Sequence, residues 1–359
     1  MPRFGDNADM SHIVTLAASG KRFDVREHET VLEAAQRAGL ALSYSCLAGV
    51  CGSCKATLLA GECTYPRNPP AALSAAERAR DAVLLCQAVP QTDLVIAARE
   101  VASVEDLPRR IVNAKVVGKQ ALAPDMIRLR LQTSPSLRWL PGQYIDVLLQ
   151  DGRRRAFSIA LAPHLGPQLE LHVRQVAGGG FTSFVFDELK TGDTLRVEGP
   201  LGTFVPREDS ERPMILMAGG AGFAPIKALV EHFLHLSTRR VMHLYWGARS
   251  ATDLYLRELP PQWAREAERL DWQAVLSDPE AARAAKLRPG LVHEAVLEDY
   301  PDLSGFDVYM SGPPAMIDAG RHAFVDAGLP EDRLYYDSFD YAPDVLAQIL
   351  SNRAGIHGL

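Results

Sequence analysis

The chain has 359 residues, with 38 Lys and Arg against 44 Asp and Glu, a formal charge of −6, and 47% hydrophobic residues. That length implies two or three domains, and the composition is that of a globular protein able to bury real cores. The acidic balance gives no footing for nucleic-acid or anionic-membrane binding, and no apolar run approaches the ~18–20 residues of a membrane span. The first ten residues lack the basic-then-apolar order of a signal peptide, so a cytoplasmic protein is expected. Five cysteines in so long a chain are too few for a disulfide scaffold.

In chain order, His12–Leu16 alternates as a strand, and residues 21–25 suit its hairpin partner, with Gly20 near the turn. Thr30 followed three residues later by Glu33 reads as a capping box opening a helix that runs to Gly39. Cys46, Cys51 and Cys54 then fall within nine residues. Cys51-Gly-Ser-Cys54 alone could be a redox pair, but the capped helix precedes it, whereas that motif opens a helix after a strand. A zinc site would show a second C-x₂-C or two histidines, and neither lies near. The spacing C-x₄-C-x₂-C with a distant cysteine is that of a plant-type [2Fe–2S] cluster, and Cys86 supplies the fourth ligand. The alternative, a loop of structural cysteines, leaves the spacing and the glycines Gly49 and Gly52 unexplained. Cys63 fits no ligand position and reads as a small hydrophobe. Strands at residues 55–59 and 93–97 complete the region. Residues 11–100 resemble the plant-type ferredoxins, whose α+β β-grasp fold is therefore expected.

Residues 101–108 read as a linker. From Arg110 to about Pro206 short alternating segments, among them 126–131, 144–149, 169–174 and 194–198, suit a small antiparallel β-barrel. After Pro213 strands alternate with helices, which argues for an α/β domain with a parallel sheet. Residues 214–218 form a continuous apolar strand, Gly219-Gly-Ala-Gly222 follows, and Pro225 suits the first turn of a helix. Such a turn can aim backbone N–H groups at a pyrophosphate, or it can simply be a tight connection without a ligand.

Taken together, Arg155-Ala-Phe157-Ser158, Gly178-Gly179-Gly-Phe-Thr182-Ser183, Gly199-Pro-Leu-Gly202, Ala218-Gly-Gly-Ala-Gly-Phe-Ala-Pro225 and Ser311-Gly312-Pro313 resemble, in order, the motifs of the ferredoxin–NADP reductase superfamily. The order ferredoxin, flavin, nucleotide is similar to that of the reductases of multicomponent aromatic-ring and related oxygenases, and to a reductase feeding a deoxysugar dehydrase. The resemblance implies three cofactors: a [2Fe–2S] cluster, FAD rather than FMN, and NADH or NADPH. It gives Arg155 to a flavin phosphate, Phe157 to the isoalloxazine or ribityl chain and Ser158 to the neighbourhood of flavin N5. Gly179, Thr182 and Ser183 face the flavin pyrophosphate, and Phe339 covers the flavin. Gly219, Gly220, Gly222, Pro225, Gly312 and Pro313 take the nicotinamide nucleotide. His172 and Arg174 either flank the cofactor or lie at the surface, and Arg155 could instead belong to a basic surface run, 153–155. The pattern departs from the family at two places: Ala221 stands where Thr is usual, and Ser311 where Cys is usual beside the hydride path.

A nicotinamide gives two electrons as hydride and a [2Fe–2S] centre takes one at a time, so a flavin between them explains the fusion. The expected function is an electron-transfer reductase serving a terminal oxygenase, with a dehydrase or other non-oxygenase partner as the alternative and a non-catalytic redox sensor as a third reading. NADH is favoured, because Asp253 could serve a ribose hydroxyl and would oppose the 2′-phosphate that Arg249 could take. The expected divisions are a ferredoxin domain at 1–104, a linker at 105–109, a flavin barrel at 110–210, a nucleotide domain at 211–340 and a tail at 341–359. A monomer is expected.

Overall fold

The computed structural model describes residues 11–67, 70–104, 107–176 and 179–339. The expectations for Gly178, for positions 105 and 106 of the linker and for the tail at 341–359 lie outside these residues. The chain divides into two compact units after Asp106.

In the first unit, β1 (His12–Leu16) and β2 (Arg22–Val25) form an antiparallel hairpin, and β1 pairs in parallel with β5 (Leu94–Ala97). With β3 (Lys55–Ala60) and β4 (Ala82–Leu84) the order is β2-β1-β5-β3-β4, a mixed sheet of the β-grasp kind. The alternation works as expected: Val14, Leu16, Phe23 and Val25 are buried together with Val31, Leu32, Ala34 and Ala35 of helix α1 (Val31–Arg37). The capping box is present in both directions, Thr30 Oγ1 accepting from Glu33 N at 3.2 Å and Glu33 Oε2 from Thr30 N at 2.9 Å. Such a cap stabilises a helix by about 1 kcal/mol. The next free amides at the start of α1 are not left to water. Val31 N donates to Ala88 O and Leu32 N to Leu85 O, at 2.9 and 3.0 Å, so the helix start fixes the turn that carries Cys86.

The second unit begins with β6 (Arg110–Ala123), β7 (Met126–Ser134), β8 (Tyr144–Leu148), β9 (Arg154–Ser158) and β10 (Leu169–Arg174), then helix α2 (Gly180–Asp187) and β11 (Thr194–Leu201). These strands pair in the order β9-β8-β11-β6-β7-β10, all antiparallel, and a bridge between Ile159 and Leu171 joins the two outer strands into a barrel. Val112, Ala114, Ile127, Leu129, Ile145, Val147, Leu171 and Val197 fill its core.

The remaining elements are β12 (Met214–Gly219), α3 (Phe223–His235), β13 (Met242–Ala248), α4 (Leu259–Glu266), β14 (Leu270–Leu276), α5 (Pro279–Ala285), β15 (Arg288–Pro289), α6 (Val292–Asp299), β16 (Asp307–Gly312), α7 (Pro314–Asp326) and β17 (Leu334–Ser338). The sheet order is β15-β14-β13-β12-β16-β17, parallel throughout. Every residue of β12 is buried, which is why it reads as an unbroken apolar run rather than an alternating one. No helix among the described residues is long and apolar enough to cross a membrane.

Candidate functional site

The cluster loop follows α1 and curls through left-handed backbone at Leu47, Gly49 and Gly52, with φ of 59°, 78° and 81°. At Gly49 a side chain is excluded twice over, because a Cβ there would also lie 2.8 Å from Cγ of Gln87. The curl brings Cys46, Cys51 and Cys54 to Cys86, and the sulfurs fall into two hydrogen-bonded pairs, Cys46 with Cys51 and Cys54 with Cys86. The hydrogen bond from Cys51, helped by loop amides, lowers the Cys46 thiol to about 6, and the bond from Cys54 lowers Cys86. The same contacts together with burial push Cys51 and Cys54 up. Ala48 N and Ser53 N each point at a sulfur, of Cys46 and Cys51, at 3.4 Å. Gln87 Nε2 donates to Leu47 O at 3.0 Å and lies 3.9 Å from Cys86 Sγ.

This donor set fits a binuclear cluster: two thiolates for each of two irons, with amides aimed at the sulfurs to offset their charge. Cys63 stands apart from the four, its thiol raised by burial and hydrogen-bonded to Tyr65.

In the barrel, Arg155 and Phe157 lie on one face of β9 and Ser158 on the other. The Phe157 ring packs 5.6 Å from Phe181 at the start of α2. Thr182 sits in the first turn of α2. Its hydroxyl donates to Gly179 O at 3.0 Å and accepts from Val176 N at 3.2 Å, so it shapes the turn. The backbone N–H groups of the first turn of α2, where Ser183 also sits, are the ones suited to a phosphate. Ser158 Oγ donates to Oδ2 of Asp337 at 3.2 Å, a buried carboxylate that the sequence reading did not single out.

The nicotinamide turn is a convergence of strand ends. Gly219 closes β12 beside Gly312, which closes β16, and a Cβ at Gly219 would lie 2.9 Å from Cδ of Pro313. A Cβ at Gly222 would overlap the Ser311 carbonyl. Pro225 is buried in the first turn of α3, as expected. Trp246 Nε1 donates to Gly220 O at 3.1 Å, and Phe339 N donates to Gly312 O at 2.9 Å. Ser311 is fully buried, its hydroxyl has no hydrogen-bond partner among the described residues, and it stands in register with Asp337 on the neighbouring strand. Arg174 reaches this turn from the end of β10. Its Nε and Nη2 make no hydrogen bond among the described residues, and Asp125 and Asp253 lie 3.4 and 3.9 Å from it. A guanidinium short of acceptors beside a glycine turn suits an anionic dinucleotide.

His172 corrects the expectation. It is neither at the surface nor available to a cofactor through its ring nitrogens, because Tyr255 Oη lies 3.0 Å from Nδ1 and Glu170 Oε1 lies 3.1 Å from Nε2. Burial lowers it to about 4, so the ring is neutral at pH 7. Asp253 spends one carboxylate oxygen on its own turn, accepting from Ser250 N at 2.9 Å. Arg249 lies exposed on an open hollow of about 750 Å³ shared with Ser277, Asp278, Pro279, Glu280 and Arg283.

Three family models match the chain in this order: a 2Fe-2S iron-sulfur cluster binding domain over residues 14–91, an oxidoreductase FAD-binding domain over 113–205 and an oxidoreductase NAD-binding domain over 216–322. The chain is 36% identical to the CDP-6-deoxy-L-threo-D-glycero-4-hexulose-3-dehydrase reductase of Yersinia pestis, covering 92% of this chain and 99% of that one. It is 33% identical to reductase component 1 of the terephthalate 1,2-dioxygenase of a Comamonas species, covering 93% and 99%. The crystal structure of the Amycolatopsis cytochrome P450 reductase GcoB matches 91% of this chain and 98% of its own, with 35% identity and a TM-score of 0.73. The cofactors are thus a [2Fe–2S] cluster, FAD and a nicotinamide nucleotide, and the activity is electron transfer from NAD(P)H through flavin and cluster. The chain belongs to the ferredoxin-fused NAD(P)H:flavin oxidoreductases of the ferredoxin–NADP reductase superfamily, the group that holds the reductase components of oxygenases and of a dehydrase.

Proposed function

We propose that this reductase draws on NADH and delivers single electrons from its cluster to a terminal oxygenase. The carrying observation is full-length similarity, in the same domain order, to reductases named for a dioxygenase and for a cytochrome P450. A second reading, a dehydrase as acceptor, is favoured by the 36% identity to the Yersinia enzyme. The preference for NADH is argued from Asp278 and Glu280, two carboxylates in the hollow beside Arg249 that offset the charges of Arg249 and Arg283 there, so that no net positive charge is left for a 2′-phosphate. Asp278 also caps α5, accepting from Glu280 N and Ala281 N at 2.9 and 3.1 Å, which holds its charge in place.

In this reading Cys46, Cys51, Cys54 and Cys86 hold the cluster. Arg155, Phe157, the turn from Gly179 to Ser183 and Phe339 hold the flavin. Gly219, Gly220, Gly222, Arg174, Gly312 and Pro313 hold the nicotinamide nucleotide, with Ser158 and Ser311 beside the transferred hydride. The divisions at 104, 109, 210 and 340 are retained, as are a monomer and a cytoplasmic setting in which the thiols stay reduced.

Anaerobic titration with NADH, followed in the visible spectrum, tests the internal route. Bleaching of both flavin and cluster bands is expected, and flavin reduction with an untouched cluster would overturn it. Supply of NADH electrons to a P450 or dioxygenase, set against supply to a hexulose dehydrase, decides between the two acceptors.

A further inference from the structure

One face of β10 is a row of polar residues, Glu170, His172 and Arg174, turned toward the nucleotide half of the same unit. Glu170 is 1% exposed and His172 6%. Around Glu170 stand Lys227 of α3 at 3.4 Å, Arg130 at 3.3 Å and Arg128 at 3.5 Å. Lys227, itself 4% exposed, also donates to Ala160 O at 2.7 Å, two residues beyond Ser158, and pairs with Glu231 at 2.7 Å. A buried ionic seam is seldom the most stabilising way to join two surfaces, since apolar side chains of equal volume do as well or better. Its directional bonds fix one register between the parts they join.

The bonds lead to a definite place. Because Glu170 is ionised and only accepts, the neutral His172 presents its Nε2 hydrogen to it, and Nδ1 is left to accept from the Tyr255 hydroxyl. The Tyr255 ring stands edge-on to Trp246, with centroids 5.4 Å apart and planes at 87°. Trp246 stacks on Phe223 at 3.7 Å and donates its indole N–H to Gly220 O, inside the nicotinamide turn. Gly220 has φ of 52°, so its carbonyl direction depends on being held. From barrel strand to nicotinamide turn there is an unbroken set of contacts.

We propose that His172 is a positioning residue which, through Tyr255 and Trp246, sets the nicotinamide turn in register with the flavin barrel. The proposal rests on hydride passing from nicotinamide to flavin. Tyr255→Phe removes one hydroxyl and keeps the ring, and Trp246→Phe removes the indole N–H and keeps an aromatic against Phe223. Each is made in the full-length holoprotein, which is mixed anaerobically with NADH or with 4-deuterated NADH while flavin bleaching is followed. A displacement near 1 Å at a reacting centre is worth up to about a hundredfold, so a fall of about tenfold in the limiting rate is expected, with an altered deuterium isotope effect. The flavin spectrum and the cluster content stay those of the parent. The double variant loses no more than the worse single one, because both cut the same connection. Limiting rates and isotope effects equal to the parent's, even with a lower melting temperature, would make the seam a stabilising contact only and overturn the proposal. A parent protein reduced by neither NADH nor NADPH would sink the hydride reading itself.

Discussion

The cluster loop and the nicotinamide turn are both rich in glycine, for different reasons. In the cluster loop the chain must curl on itself within a few residues, and left-handed backbone at Gly49 and Gly52 does this. The site is nearly contiguous, and its one distant ligand, Cys86, is delivered by the free amides of α1. In the nicotinamide turn the glycines are demanded by neighbours far away in sequence: Gly222 by the Ser311 carbonyl, and Gly219 by Pro313. A local motif can therefore define the first site, whereas three strand ends and the far side of a barrel define the second.

The harshest way to break this comparison is to remove a cluster ligand. In Cys86→Ser the iron and sulfide content should collapse, and NADH-driven reduction of cytochrome c should fall by more than about a hundredfold, beyond the usual cost of losing an outer-sphere partner. NADH-driven reduction of ferricyanide by the flavin should survive. Parallel loss of both activities would show that the two sites do not fail separately.

Gly222→Ala attacks the other site. A methyl group that must displace the Ser311 carbonyl is overpacked by about 1–3 kcal/mol, so capture of NADH should weaken by roughly tenfold or more. The electron paramagnetic resonance signal of the reduced cluster should be unchanged. Smaller again is Gln87→Leu, which keeps the volume and loses the amide that holds Leu47 O and lies beside Cys86 Sγ. Donors near cluster sulfur favour the reduced, more negative form, so the midpoint potential should fall. The flavin-to-cluster electron equilibrium should shift back severalfold, in keeping with one net hydrogen bond of about 0.5–1.5 kcal/mol. A potential equal to the parent's would assign Gln87 to packing over Gly49 alone.

The same contrast explains what could be read from sequence. The cysteine spacing, the capping box at Thr30 and the unbroken apolar β12 are local patterns, and each sits where its pattern puts it. Strand ends moved by three residues: β7 runs on to Ser134 and β11 to Leu201, because pairing partners and not propensity decide where a ladder stops. His172 alternated like a half-exposed strand residue, yet Tyr255, 83 positions later, buries it. Asp337 went unassigned, since nothing local shows that Ser158, 179 positions earlier, bonds to it. Lys227 carries no local mark of its role: α3 is enclosed around it, and the partners at Ala160, Glu170 and Glu231 make its charge tolerable.

The gentlest substitution bears on Ser311, one of the two residues that depart from the family. Ser311 Oγ is wholly buried and finds no partner among the described residues, and a hydroxyl in that condition costs about 1–3 kcal/mol. Removing it in Ser311→Ala should stabilise the nucleotide-free protein, raising its melting temperature by about 2–4 °C per kcal/mol recovered. If the hydroxyl is kept because a bound nicotinamide satisfies it, the same variant should bind NAD⁺ a few-fold more weakly, so that added NAD⁺ protects it less against melting than it protects the parent. Opposite signs in the two measurements make Ser311 a residue held in an unfavourable state for the sake of its ligand. A variant destabilised without NAD⁺ and unchanged in its affinity would mean that the hydroxyl serves the fold, and that the hydride path runs past Ser158 and Asp337 without it.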